Sequence, residues 1–283
     1  MSDKSYLSIY AKSFNWAGFF LPKKTYKKCS MLYDFCRVAD NIADDEGKLE
    51  DKEKKFYQFE NDFNQKNFEN PIIKNMWSLI EEFDISLKIV QDLLAGIKSD
   101  IKDKVLLNSK KDLLIYSYRV AGTVGLMMAK ILKVDKKNSL KSAIDLGIAM
   151  QLTNISRDVI EDSKNNRFYI NRDFREISST INLADSFYQN SFYSIKNIPI
   201  SFLFSILVAR RVYRKIGRKI LSKKNLENYQ NSGKIYVSNI EKLLETFLSI
   251  FDLVRLSLTI KNEDQIQHDH VLINEEINLD ERI

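Results

Sequence analysis

Glycine and proline are scarce in this chain, whose 283 residues include 8 glycines and 3 prolines. Proteins rich in β-sheet need such residues at frequent turns, so their scarcity predicts an all-α protein of long helices with few breaks. No apolar run reaches the ~18 residues needed to cross a membrane. The longest, residues 198–209, contains Pro199 and two serines. The N-terminal sequence lacks the apolar core of a signal peptide, so a cytoplasmic protein is expected.

Cysteine and histidine are also rare, at two residues each. Cys29 and Cys36 are seven residues apart, which places them on one face of one helix and favours reduced thiols over a disulfide. His268 and His270 have no further histidine or cysteine nearby, so no metal site is predicted there. The net charge of +6 favours an anionic partner. Nucleic acid, an anionic membrane and a diphosphate substrate would all satisfy that charge.

Turn-forming residues divide the chain into about ten helical segments with no fixed repeat and no linker. We therefore expect a single domain over residues 1–262. Residues 263–283 differ in composition, because they hold seven acidic residues and a single arginine, Arg282. This acidic C-terminal tail is predicted to be either a surface helix or a frayed end.

One helical stripe in residues 147–162 is polar although its surroundings are apolar. Gln151, Asn154, Asp158 and Asp162 fall within roughly 80° of one another at 100° per residue. Two carboxylates one turn apart repel each other, so a cation between them would stabilise the helix. Ligation by oxygen alone points to Mg²⁺ rather than zinc. The alternative is an ordinary solvated face.

A second stripe of the same kind lies in residues 33–45, and it again carries Asp at positions i and i+4. Aspartate is a poor residue for a helix interior, so its repetition on two helices suggests a shared role. If the helices face each other, four carboxylates line one cavity that can hold Mg²⁺ and, through it, a diphosphate. The second stripe consists of Tyr33, Arg37, Asp40, Asn41 and Asp44.

Such a cavity suits the departure of a diphosphate from an allylic carbon. Carboxylates and diphosphate repel by about 4 kcal/mol per charge pair at 4 Å and a dielectric of about 20, and bridging Mg²⁺ reverses the sign. Arg37 and Arg157 stand beside the aspartates and can bind phosphate oxygens bidentately. The carbocation left behind requires dry, apolar and aromatic walls. A chain that is 44% hydrophobic can supply them.

Five motifs resemble, in sequence and in order, those of the squalene/phytoene synthase family of head-to-head prenyl transferases, most closely its bacterial phytoene synthases. The resemblance covers about 200 residues and implies a single-domain helical bundle of the isoprenoid-synthase type with a central cavity. The motifs are Lys12–Phe14, YDFCRVADNIADD (33–45), YSYRVAGTVGLMMA (116–129), DLGIAMQLTNISRDVIEDSKNNRFYI (145–170) and ARRVYRKIG (209–217).

The resemblance also implies roles for individual residues. Asp40, Asp44, Asp158 and Asp162 look like the two metal-binding pairs, and Tyr116 joins them as a catalytic residue. The chain departs from the family pattern at Ala11, Asn41 and Asn171. Gly122 and Gly125 would make room for a prenyl chain or for a neighbouring helix. The expected substrate-binding residues are Ser13, Phe14, Tyr33, Arg37, Gly122, Gly125, Gln151, Asn154, Arg157, Arg167 and Tyr169.

The activity implied is the Mg²⁺-dependent condensation of two geranylgeranyl diphosphates, through a cyclopropyl diphosphate, to phytoene. Mn²⁺ is the expected substitute metal. No NADPH is expected, because the motifs resemble enzymes that end the reaction by proton loss rather than hydride addition. The alternative within the family is a C15 enzyme that makes squalene, dehydrosqualene or presqualene diphosphate. Alternatives of other classes are a non-catalytic assembly factor, which the four aspartates argue against, and a terpene cyclase.

A basic stretch follows the apolar run and has three interpretations: a solvated face, a surface drawn to anionic lipid, or a nucleic-acid site. No recognised binding motif supports nucleic acid. Contact with lipid would make the protein peripheral on the inner membrane face. The sequence does not predict an oligomeric state. The basic residues are Arg210, Arg211, Arg214, Lys215, Arg218 and Lys219.

Overall fold

The computed structural model describes residues 12–259 and 269–283, with only the backbone given for Lys12 and Phe14. Helices dominate these residues, so the all-α prediction is confirmed. The α-helices are α1 (Lys12–Gly18), α2 (Lys23–Asp44), α3 (Leu49–Asn64), α4 (Pro71–Phe83), α5 (Leu87–Lys98), α6 (Lys110–Ser117), α7 (Thr123–Ile131), α8 (Lys137–Lys164), α9 (Phe174–Asn190), α10 (Ile200–Leu221), α11 (Leu226–Asn231), α12 (Asn239–Leu258) and α13 (His270–Asn274).

Local signals set several helix ends. Asn70 caps α4 by accepting a hydrogen bond from the Ile72 amide, and Pro71 occupies the first turn, where its missing N–H leaves no bond unmade. Ser238 and Glu241 form a reciprocal capping box at the start of α12. Residues Tyr118–Gly122 form a π-helical turn that joins α6 to α7. These features divide the chain into long helices that can pack around a cavity.

Among the described residues there is one small sheet. It consists of two parallel strands, Val105–Leu106 and Arg167–Phe168. Val105 pairs with Arg167, which brings the turn after α8 beside the connection between α5 and α6. The pairing therefore fixes the backbone of Arg167 at the end of the second acidic helix.

Helix α8 is the centre of the bundle and packs against α7, α9 and α10. Glycines allow it to approach α7 and the π-helical turn before α7 closely. A Cβ on Gly125 would lie 2.2 Å from the carbonyl oxygen of Ala143, and a Cβ on Gly147 would lie 2.2 Å from that of Ala121. Only glycine permits backbones to approach this far. Helix packing is therefore the main reason for Gly125.

The part of the acidic tail that the structure describes, residues 269–283, packs on the bundle surface as a short helix and a 3₁₀ turn. This agrees with the surface-helix alternative rather than with a frayed end. Ion pairs with side chains of α5, α6, α8 and the π-helical turn hold it in place. They join Lys110 to Asp269, Lys111 to Glu275, Arg119 to Glu276, Lys141 to Asp280, and Arg282 to Asp92.

The solvated-face interpretation of the basic stretch is wrong for most of its residues. Arg210 is buried and donates to the carbonyl oxygen of Tyr188 at 2.8 and 3.0 Å. Arg211 pairs with Asp252 at 3.0 Å, and Lys219 pairs with Glu241 at 2.8 Å. Arg214 likewise pairs with Asp185. Cys29 and Cys36 are buried free thiols, as predicted. Within the described ranges no helix is long and apolar enough to span a membrane.

Candidate active site

A cavity of about 1710 Å³ lies between α1, α2, α7, α8, α10 and the start of α12. Its volume is well above the roughly 300–1,000 Å³ of a pocket for one small ligand. Apolar side chains line most of it, among them Val124, Met128, Leu146 and Met150. Charged side chains gather at the end of the cavity where α2 and α8 each present their aspartates. The cavity is therefore polar at one end and apolar along its length.

The first aspartate pair, Asp40 and Asp44, lies in the last two turns of α2 and lines the cavity. Arg167 donates to Asp44 at 2.7 Å and to the Ala43 carbonyl oxygen at 3.2 Å. Arg37 also approaches Asp44, at 3.9 Å. Arg167 lies just beyond α8, so this ion pair connects the ends of the two acidic helices.

The second pair, Asp158 and Asp162, lies in the last two turns of α8 and lines the same cavity. Arg157 donates through Nε to Asp158 at 2.9 Å. Lys234 reaches Asp158 at 3.6 Å from the segment between α11 and α12. The two aspartate pairs, predicted from the sequence to share one site, thus line one cavity.

The two aspartate pairs are close enough to the same charged groups for these groups to shift the pKa values of both. The pKa of Asp40 is raised to about 7, chiefly by burial and next by the Asp44 carboxylate, while the Arg37 guanidinium opposes the rise. Burial likewise raises the pKa of Asp162 to about 7, with Asp158 adding to the rise and Arg167 opposing it. Both pKa values also respond to Asp100 and Arg167. The ligand-free site therefore holds more negative charge than its own cations neutralise.

Asp100, just after α5, is a cavity residue that sequence analysis missed. Its carboxylate accepts hydrogen bonds from the hydroxyls of Tyr116 at 2.7 Å and Tyr169 at 2.9 Å. The two tyrosine rings stack with centroids 4.7 Å apart. Burial raises the pKa of Asp100, while the Tyr116 hydrogen bond lowers it. Tyr116 and Tyr169 do not line the cavity themselves, so they act on it through Asp100.

Most of the predicted residues share the cavity, but a few lie elsewhere. Gly122 is not on the cavity wall, since a Cβ there would meet Tyr118 at 3.0 Å and Ile144 at 3.2 Å, which indicates packing within the bundle. The side chain of Phe14 lies outside the described residues. The predicted residues that line the cavity are Ser13, Tyr33, Arg37, Asp40, Asp44, Gly125, Gln151, Asn154, Arg157, Asp158, Asp162 and Arg167.

Tyr213 and Lys234 also line the cavity, and neither was predicted from the sequence. Tyr213 on α10 is buried beside the second aspartate pair; burial raises its pKa to about 12, Arg157 opposes that rise and Asp158 adds to it. The sequence held a signal for Tyr213, because it lies in the ARRVYRKIG motif. Lys234 had no such signal, since it lies in an irregular segment outside the motifs.

The donor set fits a magnesium-type ion. Its members are carboxylate and amide oxygens, which hard cations prefer. Asn154 Oδ1 is buried and has no hydrogen-bond partner within residues 12–259 and 269–283. Among those same residues, no three carboxylate, imidazole or thiol side chains are grouped closely enough to hold a metal by themselves. Each aspartate pair would therefore share its ion with further oxygens, and a diphosphate offers these.

The fold and the site define a helical prenyl transferase. The model of the squalene/phytoene synthase family matches residues 8–178, and the chain belongs to that family. The chain is 30% identical over 247 residues to 15-cis-phytoene synthase of Enterobacter agglomerans, covering 76% of this chain and 83% of that protein. It is 28% identical to the phytoene synthase of Rhodobacter capsulatus, covering 75% and 70%.

Solved structures are similar as well. A dehydrosqualene synthase in complex with a ligand superposes with a TM-score of 0.76 and is 26% identical, over 89% of this chain and 95% of that one. A squalene synthase from Alicyclobacillus acidocaldarius has a TM-score of 0.67 at 16% identity, over 78% and 90%. At that identity the second likeness supports the fold alone. The predicted isoprenoid-synthase-type bundle is confirmed.

Proposed function

We propose that this enzyme condenses two geranylgeranyl diphosphates, through a cyclopropyl diphosphate, to phytoene. The observation that carries the proposal is the pair of acidic helices, α2 and α8, which present Asp40, Asp44, Asp158 and Asp162 to one end of a large apolar cavity. Relatives with the name phytoene synthase, matched over about three quarters of this chain, support the choice of product.

The cationic side chains at the polar end would hold the diphosphate. Arg37, Arg157, Arg167 and Lys234 all line the cavity beside the aspartates. Arginine can bind two phosphate oxygens at once, and lysine contributes a point charge. Asp44 accepts a hydrogen bond from Arg167, and Asp158 accepts one from Arg157. These pairs keep the guanidinium groups oriented at the polar end before the substrate arrives.

Mg²⁺, or Mn²⁺ in its place, would be held by the four aspartates with Asn154 and would act as a Lewis acid on the leaving diphosphate. The chain's own residues do the rest. The apolar walls exclude water from the reactive carbocation. Tyr33 and Tyr213 line the cavity near the aspartates and keep their protons, because burial raises the pKa of both. Their rings can stabilise positive charge.

A C15 activity is the second candidate, because a dehydrosqualene synthase superposes over 89% of this chain at 26% identity. The relatives with the name phytoene synthase favour the C20 substrate over it. The volume of about 1710 Å³ admits more than one long ligand.

The test is to incubate the purified protein and Mg²⁺ with C20 or C15 diphosphate, each with and without NADPH, and to identify the hydrocarbon. We expect phytoene from the C20 substrate in equal amounts under both conditions, because a reaction that ends by proton loss needs no hydride. The Asp158→Asn variant serves as the inactive control. A product formed only from C15 diphosphate, or only with NADPH, would instead identify a squalene-type activity.

Mg²⁺ together with a non-ionisable diphosphate analogue should raise the melting temperature more than either does alone. The reason is that the pair would neutralise carboxylates that lack enough internal counter-charge. A ligand specific for the native state adds about 2.7 kcal/mol at a hundredfold excess over Kd. Thermal unfolding with metal, analogue and both measures the effect, and the Asp158→Asn protein should lose it. No shift with the combination would argue against a diphosphate site.

The division of the chain into residues 1–262 and an acidic tail stays a prediction. So do a cytoplasmic location and a peripheral membrane contact.

A further inference from the structure

Helix α12 is oriented with its apolar face outwards. Eight large apolar side chains on this helix are between 45% and 80% exposed. Their spacing of three and four residues aligns them along a single stripe about 120° wide. A contiguous exposed apolar stripe bordered by polar residues is typical of a surface that contacts a protein or a membrane. The outer stripe consists of Ile240, Leu243, Leu244, Phe247, Ile250, Phe251, Val254 and Leu258.

The inward face of α12 is polar, and ion pairs fix this orientation. Glu245 and Ser249 are buried against the bundle. Arg211 on α10 lies 3.5 Å from Glu245 and 3.0 Å from Asp252. Turning the helix to bury its apolar stripe would break these pairs and leave buried charges without partners, which is strongly unfavourable. The exposed stripe is thus built into the fold.

All three acidic side chains of α12 are held by basic residues of α10. Glu241 binds Lys219 at 2.8 Å, and Arg211 binds both Glu245 and Asp252. No acidic side chain belongs to the outer stripe. This distribution removes negative charge from the outward surface, which suits an anionic partner.

A small polar cavity of about 220 Å³ lies along one border of the stripe. Arginines outnumber acids in its lining. The pKa of Arg210 is lowered to about 10, chiefly by burial and next by the neighbouring Arg214 guanidinium. The lining consists of Phe192, Arg210, Arg211, Arg214, Arg218, Glu245, Asp252 and Arg255.

Arg255 connects the small cavity to the stripe. It follows Phe251 by four residues, so the two side chains are neighbours on the helix surface. Arg255 is exposed, donates to the Tyr193 hydroxyl at 3.0 Å and lies over the Phe192 ring at 5.3 Å. Arg255 thus marks the border where the outer stripe meets the small cavity. The charge and size of this cavity suit a phosphate group.

We propose that the outer stripe of α12 and the arginine cavity beside it form a docking surface for an anionic phospholipid membrane. The apolar side chains would enter the boundary between headgroups and acyl chains, as the apolar face of an interfacial helix does. Lipid phosphates would meet the arginines at its border. A second copy of this chain fits less well, because a helix-to-helix seam is usually flanked by complementary charges. The other border carries uncharged Asn239, Thr246 and Ser257.

This surface lies against the wall of the main cavity. Ser238, Asn239 and Lys242 at the start of α12 line that cavity. Trp16 on α1 donates to Thr246 at 3.0 Å and so ties α12 to another cavity-lining element. A membrane on the outer stripe would lie one helix away from the apolar interior. The docking surface itself does not depend on which prenyl diphosphate the enzyme uses.

The test measures co-sedimentation of the full chain with vesicles of pure phosphatidylcholine and with vesicles containing 30% phosphatidylglycerol. We expect at least tenfold more binding to the anionic vesicles. Phe247→Ser with Phe251→Ser should reduce it at least tenfold, while Phe68→Ser, on an exposed aromatic outside the stripe, should leave it unchanged. Arg255→Gln should reduce the preference for anionic vesicles severalfold. Leu243→Ser with Leu258→Ser replaces the double phenylalanine variant if that protein fails to fold by circular dichroism.

The proposal would be overturned if the wild-type protein bound neither kind of vesicle. It would also be overturned if the double phenylalanine variant bound vesicles as well as the wild type does. Equal binding to both vesicle compositions, or an unchanged preference in Arg255→Gln, would remove the role of the arginine cavity. A dimer in solution that the double variant converts to a monomer, without vesicle binding, would assign the stripe to contact between copies.

Discussion

Replacing Asp40 by Asn should lower turnover by about 10²- to 10³-fold and yet stabilise the metal-free protein at pH 8. The substitution keeps the size of the side chain and removes a charge. That charge would serve the bound metal, but in the ligand-free protein it is unfavourable, because burial and the Asp44 carboxylate raise the pKa of Asp40 to about 7. We expect the free energy of unfolding at pH 8 to rise by about 1–3 kcal/mol.

The pH dependence has a definite sign. Between pH ~4 and ~7 the native protein binds more protons at Asp40 than the unfolded chain does, so the free energy of unfolding falls as pH rises. The Asp40→Asn variant has no such carboxyl group, so its free energy of unfolding does not fall in this way. The excess of its free energy of unfolding over that of the wild type should be largest above pH 7 and vanish near pH 4. Urea unfolding of the metal-free proteins at several pH values measures it.

Asp135, in the exposed loop before α8, provides the matched control. Asp135→Asn should change neither turnover nor stability by more than a few tenths of a kcal/mol. An Asp40→Asn protein with near-normal turnover would exclude Asp40 from the site. An advantage that persisted unchanged at pH 4 would show that the buried charge is not its cause.

Replacing Gly147 by Ala should cost about 3 kcal/mol or more, because the new Cβ would lie 2.2 Å from the carbonyl oxygen of Ala121 and 2.9 Å from the Cα of Gly122. These are backbone atoms, so no side-chain rotation relieves the overlap and the helices must separate. For a chain of this size each kcal/mol corresponds to roughly 2–4 °C in Tm. We therefore expect a fall of at least about 6 °C, measured by thermal unfolding.

Gly47 is the matched control for this substitution. A Cβ there would meet only the Asp45 side chain, at 3.8 Å, so Gly47→Ala should stay within about 0.5 kcal/mol of the wild type. If Gly147→Ala were equally harmless, the close approach of α8 to the π-helical turn before α7 would not be a packing constraint.

The acidic helices could be predicted because their pattern is local. Asp40 with Asp44 and Asp158 with Asp162 are each one turn apart, and a single helical period places each pair on one stripe. Asp100 could not be found in this way. It lies at the end of α5 without periodic context, and its partners Tyr116 and Tyr169 are 16 and 69 residues away.

The basic stretch was misjudged for the same reason. Its acidic partners Asp185, Glu241 and Asp252 lie on other helices, and composition alone does not reveal such distant pairs. The outward orientation of the apolar face of α12 could not be predicted from the sequence either. An amphipathic sequence shows that a helix has two faces, but its partners decide which face points inwards.

The glycine contacts that α8 makes with α7 and with the π-helical turn before it bear on how chain-length selectivity can evolve. Because the two backbones already touch at Gly125 and Gly147, this wall cannot move inwards, and moving it outwards would break the central packing of the bundle. A longer or shorter prenyl chain must therefore be accommodated by trimming or extending side chains on the wall, such as Val124, Met128 and Met150. Substrate length can then drift among relatives by single substitutions while the scaffold and the aspartate pairs stay in place.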